Sequence, residues 1–228
     1  SRSYIAMLSE TGATPVVQSK WFATVVVESP DSTVAEQLQQ LAIVDSVKWI
    51  WKGNLRVPAE EKREDRFVSE DEPLHNEYGY SYKQIKMLNG TKLHEAGFRG
   101  EGMRVAVIDA GFMNADRVSA FDSLRLLGTH NVVFPGKSVF VGDDHGTKVL
   151  SCLAADIPGV MVGTAPKASY LLLKSEDSDS EYPVEEDYWT AAVEYADSAG
   201  VDVISSSLGY FAFDTDELSY DQDALDGR

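Results

Sequence analysis

The chain is expected to fold as α/β, a parallel sheet with helices on both faces, preceded by a small α+β unit. Three observations predict this. From about Tyr78 onward, short apolar runs alternate with segments of helical spacing over some 130 residues, the pattern of strand, crossover helix and parallel strand. The run Met103 to Asp109 is nearly all apolar, as strands buried on both faces are. The first 54 residues follow a different and self-contained pattern.

In that front unit, Val16 to Glu28 (VVQSKWFATVVVE) is rich in β-branched and aromatic residues and reads as a strand or a bent strand pair. Asp31 and Ser32 supply N-cap chemistry for a helix whose Val34, Leu38 and Leu41 share one face. Ser46 to Lys52 alternates with period two, placing Val47, Trp49 and Trp51 on one side, and stops at Gly53-Asn54. Residues 55–77 carry the run EEKREDR, an acidic SEDE and two prolines without sustained period, and read as an exposed linker and candidate processing site.

In the second unit, residues 78–228, Gln84 to Ala96 is expected to be one helix closed by Gly97. Gly100 and Gly102 punctuate the turn into the strand ending at Asp109. A helix from His145 to Ala155, a strand at Ala168 to Lys174, a helix at Tyr182 to Ser198 and a short buried strand at Val201 to Ser206 follow.

Composition excludes several classes. Lys plus Arg number 20 against 37 Asp plus Glu, and a formal charge of −17 repels nucleic-acid phosphates and anionic membrane surfaces. After Lys174 there are 16 carboxylates and one base, a net −15 on the last 54 residues. One cysteine, Cys152, rules out an internal disulfide framework, and its place on a helix two turns after His145 reads as buried, inert packing. No stretch approaches 18 apolar residues, and SRSYIAMLSE lacks a signal-peptide pattern, so any signal peptide is expected to have been removed or left out.

Two residues stand out chemically. Asp109 lies where an apolar strand gives way to Ala110-Gly111, the strand end where open parallel sheets place their sites. His145 opens a helix within DDHGT, 36 residues later. Either alone has a bland reading, as a loop cap or a surface histidine. Together, in the order aspartate then histidine, they supply the general base and its orienting carboxylate of a nucleophilic triad.

The wording around them resembles the subtilase family. VAVIDAGF is similar to the family's aspartate motif and DDHGTKVLSCLAA to its histidine motif, with Ala110 and Lys148 as departures. GTAPKASYLLLKSED is similar to its glycine-alanine-proline turn and next strand. VDVISSSLG is similar to its substrate-lining strand, and SEYPVEEDYW and SLGYFAFD look like secreted Bacteroidetes-type members. The resemblance implies a subtilisin-like catalytic fold over 78–228 and a ferredoxin-like inhibitory propeptide over 1–54 that is bound in cis. It implies serine endopeptidase chemistry with catalytic Asp109 and His145, and a protein or peptide substrate lying against Ser180, Glu181, Tyr182 and Ser207, Leu208, Gly209. It implies a secreted or periplasmic location.

The family's nucleophile sits in a Gly-Thr-Ser turn, and no such triplet occurs here. A companion C-terminal chain carrying the serine is therefore expected, and this chain by itself is expected to be inert. No cofactor is required by the chemistry. The acidic run Glu176, Asp177, Asp179, Glu181, Glu185 and Glu186 reads as a solvated face, a structural calcium site or a preference for basic substrates. A non-catalytic binding fragment of the same fold is the competing reading. A flavodoxin-like ligand domain would need a phosphate-cradling glycine loop, which DAGFMNAD does not provide.

Overall fold

The computed structural model describes residues 2–51 and 76–224. All but the last two residues of the expected linker, together with the Gly53-Asn54 stop, lie outside the described residues.

The front unit runs α1 (Arg2–Ser9), β1 (Thr14–Ser19), β2 (Thr24–Glu28) and α2 (Val34–Gln39). The β-rich run is thus a strand pair, antiparallel with Thr14 opposite Glu28 and an irregularity between Pro15 and Val17. The turn between the strands holds Ala23 at φ 55°. Asp31 starts α2 by accepting the Thr33 N–H on Oδ1 at 2.9 Å. Leu8, Ala13, Val34 and Leu38 form a small core under Val25 and Val27. This order of helix, two strands and helix is the middle of a ferredoxin-like unit.

The expected strand at Ser46 to Lys52 is corrected for its described part: residues 46–51 join no ladder among the described residues. Their side chains do not share a side either. Val47 packs on the front-unit core, Ile50 and Trp51 pack on the cluster of the larger unit, and Trp49 is 59% exposed. A period-two pattern specifies a strand only where a neighbouring strand supplies its hydrogen bonds. Here the segment spans from one core to the other.

The larger unit runs α3 (Tyr82–Met87), α4 (Gly90–Glu95), β3 (Arg104–Asp109), β4 (Arg125–Asn131), α5 (His145–Ala154), the hairpin β5 (Asp156–Ile157) and β6 (Met161–Val162), β7 (Ser169–Lys174), α6 (Val184–Ser198) and β8 (Val203–Ser206). The main sheet has the order β4-β7-β3-β8, all parallel. Alternation divides its side chains. Val105, Val107, Tyr170 and Leu172 meet Leu150 and Ala154 of α5 on one face. Ala106, Ile108, Leu171 and Leu173 meet Tyr188, Ala192 and Ala196 of α6 on the other.

Three expectations change here. The single helix over Gln84 to Ala96 is two helices, broken where Asn89 turns left-handed at φ 57°. Gly90 permits the break, since a Cβ there would stand 2.9 Å from Ile85 Cγ2. The strand ending at Ser206 is not buried: Val203 is 49% exposed, because β8 is an edge strand paired only with β3 among the described residues. Cys152 is exposed, because the buried stripe of α5 runs through Thr147, Leu150, Ser151 and Ala154.

The front unit docks on α6. Val17 joins the cluster with Tyr188, Ala192 and Ala196. At the hairpin tip, Glu194 accepts hydrogen bonds from Ser19 Oγ at 2.5 Å and from the Lys20 and Trp21 N–H groups at 3.1 Å each. Burial alone would raise the Glu194 pKa, but these donors together hold it below the usual carboxylate range. Glu194→Ala is expected to weaken the docking by about 1 kcal/mol after solvent screening, seen as faster amide exchange at Lys20 and Trp21.

Candidate active site

Asp109 is the last residue of β3 and is wholly buried. His145 is the first residue of α5. Sheet and helix bring them together: His145 Nδ1 and Asp109 Oδ1 lie 2.7 Å apart, and the same oxygen accepts the Ala110 N–H at 2.8 Å. Burial raises the Asp109 pKa, while the hydrogen bonds from His145 and Ala110 pull it down. Asp109 Oδ2 is buried with no partner among the described residues. The His145 side chain is 51% exposed.

The histidine is held at both ends of its backbone turn. Its N–H donates to Asp143 Oδ1 at 2.6 Å. Gly146 lies so close to the β3 turn that a Cβ would stand 2.4 Å from the Gly111 carbonyl oxygen and 2.9 Å from Asp109 Cβ. Thr147 Oγ1 donates to the Met113 carbonyl at 2.9 Å. Gly146→Ala is therefore expected to push the start of α5 off the strand, at a cost of about 1–3 kcal/mol. Thermal unfolding measures this, and an unchanged midpoint would show that the close approach has slack.

Ser180, Glu181 and Tyr182 lie between β7 and α6, and Ser207, Leu208 and Gly209 follow β8. Glu181 is tied to Asp214 twice, donating its N–H to Oδ2 at 3.2 Å and accepting the Asp214 N–H at 2.9 Å. Tyr182 and Leu208 pack on one apolar cluster with Trp51, whose ring meets Tyr182 edge-on at 6.2 Å. The front unit's last described residue thus rests against the first of these two segments.

The acidic run is divided. Glu176, Asp177 and Glu185 are buried, whereas Glu181 is exposed. Glu176 Oε1 accepts from Tyr210 at 2.6 Å and from Ser175 at 3.0 Å. Glu185 Oε1 accepts the Asp177 N–H at 2.8 Å, and its Oε2 has no hydrogen-bond partner among the described residues. Burial pushes Glu176 up to about 7, and burial together with its neighbour Glu176 pushes Glu185 up to about 9. Among the described residues no three His, Cys, Asp or Glu side chains are gathered to hold a metal ion.

In the sequence, Lys174 reads only as the end of a strand, and Asp143 and Gly146 only as parts of the DDHGT motif, without contacts of their own. The first carried a signal, an ammonium closing an otherwise apolar strand. The other two emerge only from the packing of α5 on β3.

Comparison with known proteins places these features in context. Residues 1–67 match the peptidase S8 propeptide domain of Bacteroidota. The major intracellular serine protease of Bacillus subtilis is 31% identical over 133 residues, 55% of this chain and 40% of that protein. Subtilisin E of Bacillus subtilis is 32% identical over 147 residues, 63% of this chain and 36% of that protein. The chain therefore matches well under half the length of these relatives. Fervidolysin from Fervidobacterium pennivorans, a keratinolytic enzyme related to subtilisin, superposes with a TM-score of 0.59 at 15% identity, covering 97% of this chain and 35% of that one. That likeness establishes a shared fold.

Proposed function

The chain belongs to the subtilase family, with a propeptide ahead of catalytic-domain sequence, and from that premise we propose that it carries the acid–base half of a subtilisin-type serine endopeptidase in its propeptide-docked form. The observation that carries this reading is the 2.7 Å contact between buried Asp109 at a strand end and half-exposed His145 at a helix start.

In this reading the Asp109 carboxylate accepts the Nδ1 proton of His145, which leaves Nε2 unprotonated. Nε2 takes the proton of a serine hydroxyl as that oxygen attacks the substrate carbonyl, then returns it to the departing amine. Asp109 stays ionised and stabilises the imidazolium. Buried and already hydrogen-bonded, it needs no reorganisation during the reaction. The segments 180–182 and 207–209 flank an extended peptide substrate, and the front unit holds α6 and Tyr182 from outside until it is removed. Secretion or export to the periplasm belongs to the same reading, as does a serine contributed by the rest of the catalytic domain.

The test is hydrolysis of a denatured protein by a polypeptide in which this chain is joined to that remainder. Cleavage that disappears in His145→Ala supports the reading. Cleavage that survives the substitution, or its absence after the front unit is removed, contradicts it.

A further inference from the structure

Beside the Asp109–His145 pair stands a buried ammonium that the proposed chemistry does not use. Lys174 ends β7 in register with Asp109 of β3, on the same α5-facing side of the sheet as Tyr170 and Leu172. It is 3% exposed. Its Nζ donates to the carbonyl oxygen of Ala110, the residue directly after Asp109. The backbone is pinned at the same level: Ser175 N–H donates to the Asp109 carbonyl at 3.1 Å, and the Lys174 carbonyl accepts the Val132 N–H at 2.9 Å.

A buried cation survives only with compensating charge. Burial draws the Lys174 pKa down, and the charges of Asp177 and Asp143 act against it. Asp143 is the residue that caps His145, and Asp177, Glu176 and Glu185 form the buried carboxyl cluster after β7 and on α6. Tyr210, beyond β8, closes that cluster through Glu176. A lysine serving only as ballast for the cluster would have no need to grip the turn that carries the aspartate.

We propose that Lys174 is a positioning residue for the Asp109–His145 pair: its ammonium clamps the Ala110 carbonyl, fixing the turn that aims the Asp109 carboxylate at Nδ1. The inference rests on the role proposed for that pair.

Proton and nitrogen NMR of the 228-residue chain tests it without requiring peptidase activity. The wild-type chain is expected to show a low-field proton on His145 Nδ1, with ring nitrogen shifts of the Nδ1–H tautomer. In Lys174→Met, that resonance is expected to be lost and the tautomers mixed. Tyr170→Phe, which removes the 2.8 Å hydrogen bond to the Ala165 carbonyl at the far end of the same strand, is the control for general loosening and is expected to keep it. If Lys174→Met retains the wild-type resonance and tautomer, or if Tyr170→Phe loses them equally, Lys174 is no positioning residue. A wild-type chain lacking the resonance would instead overturn the reading of the pair itself, and the inference with it. Should Lys174→Met not fold, Lys174→Gln, whose amide stem is too short to reach the same carbonyl, is read by the same criteria.

Discussion

Asp109→Asn, in a polypeptide joining this chain to the remainder of its catalytic domain, is expected to lower kcat by about 10⁴-fold while leaving the fold intact, as in other triad enzymes. The amide keeps the shape of the carboxyl group but offers the imidazole the wrong partner. Asparagine can present an N–H to Nδ1, which moves the ring proton to Nε2 and blocks the nitrogen that must act as base. The loss should appear mainly in kcat, because neither segment expected to hold substrate depends on Asp109 for its position. Thermal stability should fall by about 1–3 kcal/mol, since the amide nitrogen that faces Nδ1 takes the place of the oxygen that accepts the Ala110 N–H. A fall of only a few fold would mean that the pair does not act as general base and orienting carboxylate.

The second large effect concerns stability. Glu185 is 1% exposed, and burial with Glu176 beside it raises its pKa to about 9 from an ordinary 4.5. Between those two values the folded chain retains a proton that the unfolded chain has released. Folding is therefore favoured at the acidic end of that window, and the advantage is lost as the pH rises towards the folded-state value. The cost reaches about 1.4 kcal/mol per pH unit for each such carboxyl. Glu176, pushed up to about 7, adds to the slope below neutrality. Glu185→Gln keeps the acceptor for the Asp177 N–H and cannot ionise. The variant is expected to be more stable than the parent at pH 8, to converge with it near pH 5, and to show a flatter profile between. Denaturant unfolding across that range measures both. A stability difference between parent and Glu185→Gln that does not change between pH 5 and pH 8 would show that Glu185 is ionised in the fold.

Sequence reading succeeded where a local pattern and its tertiary setting agree. The apolar run at β3 is buried on both faces by α5 and α6, so its composition marked it as a buried parallel strand, and the run at β7 was legible as a strand. Asp109 and His145 could be singled out because each marks an element boundary, and boundaries of parallel sheets are where chemistry collects. Reading failed where the outcome depends on partners distant in sequence. Residues 46–51 have the alternation of a strand but pair with no strand among the described residues. Arg125 to Asn131 lacks a recognisable pattern, because β4 is an edge strand with its first three residues exposed. The break at Asn89 turns on one left-handed residue and the nearness of Gly90 to Ile85. The acidic run looked uniform in sequence, yet Glu185 lies in the core and Glu181 in solvent. Which of them is buried is set by where α6 begins over the sheet. Lys174 could be noticed as a charge in an apolar strand, but its grip on the Ala110 carbonyl requires the register of β3 against β7.

The most direct test of the acid–base assignment is the rate at which a fluorophosphonate labels the serine of the joined polypeptide after removal of the front unit. Labelling reports nucleophile activation without requiring that a substrate be known. The acid–base assignment predicts rapid, stoichiometric labelling in the parent and a loss of about 10³-fold or more in both His145→Ala and Asp109→Asn. Labelling at the parental rate in His145→Ala would contradict it.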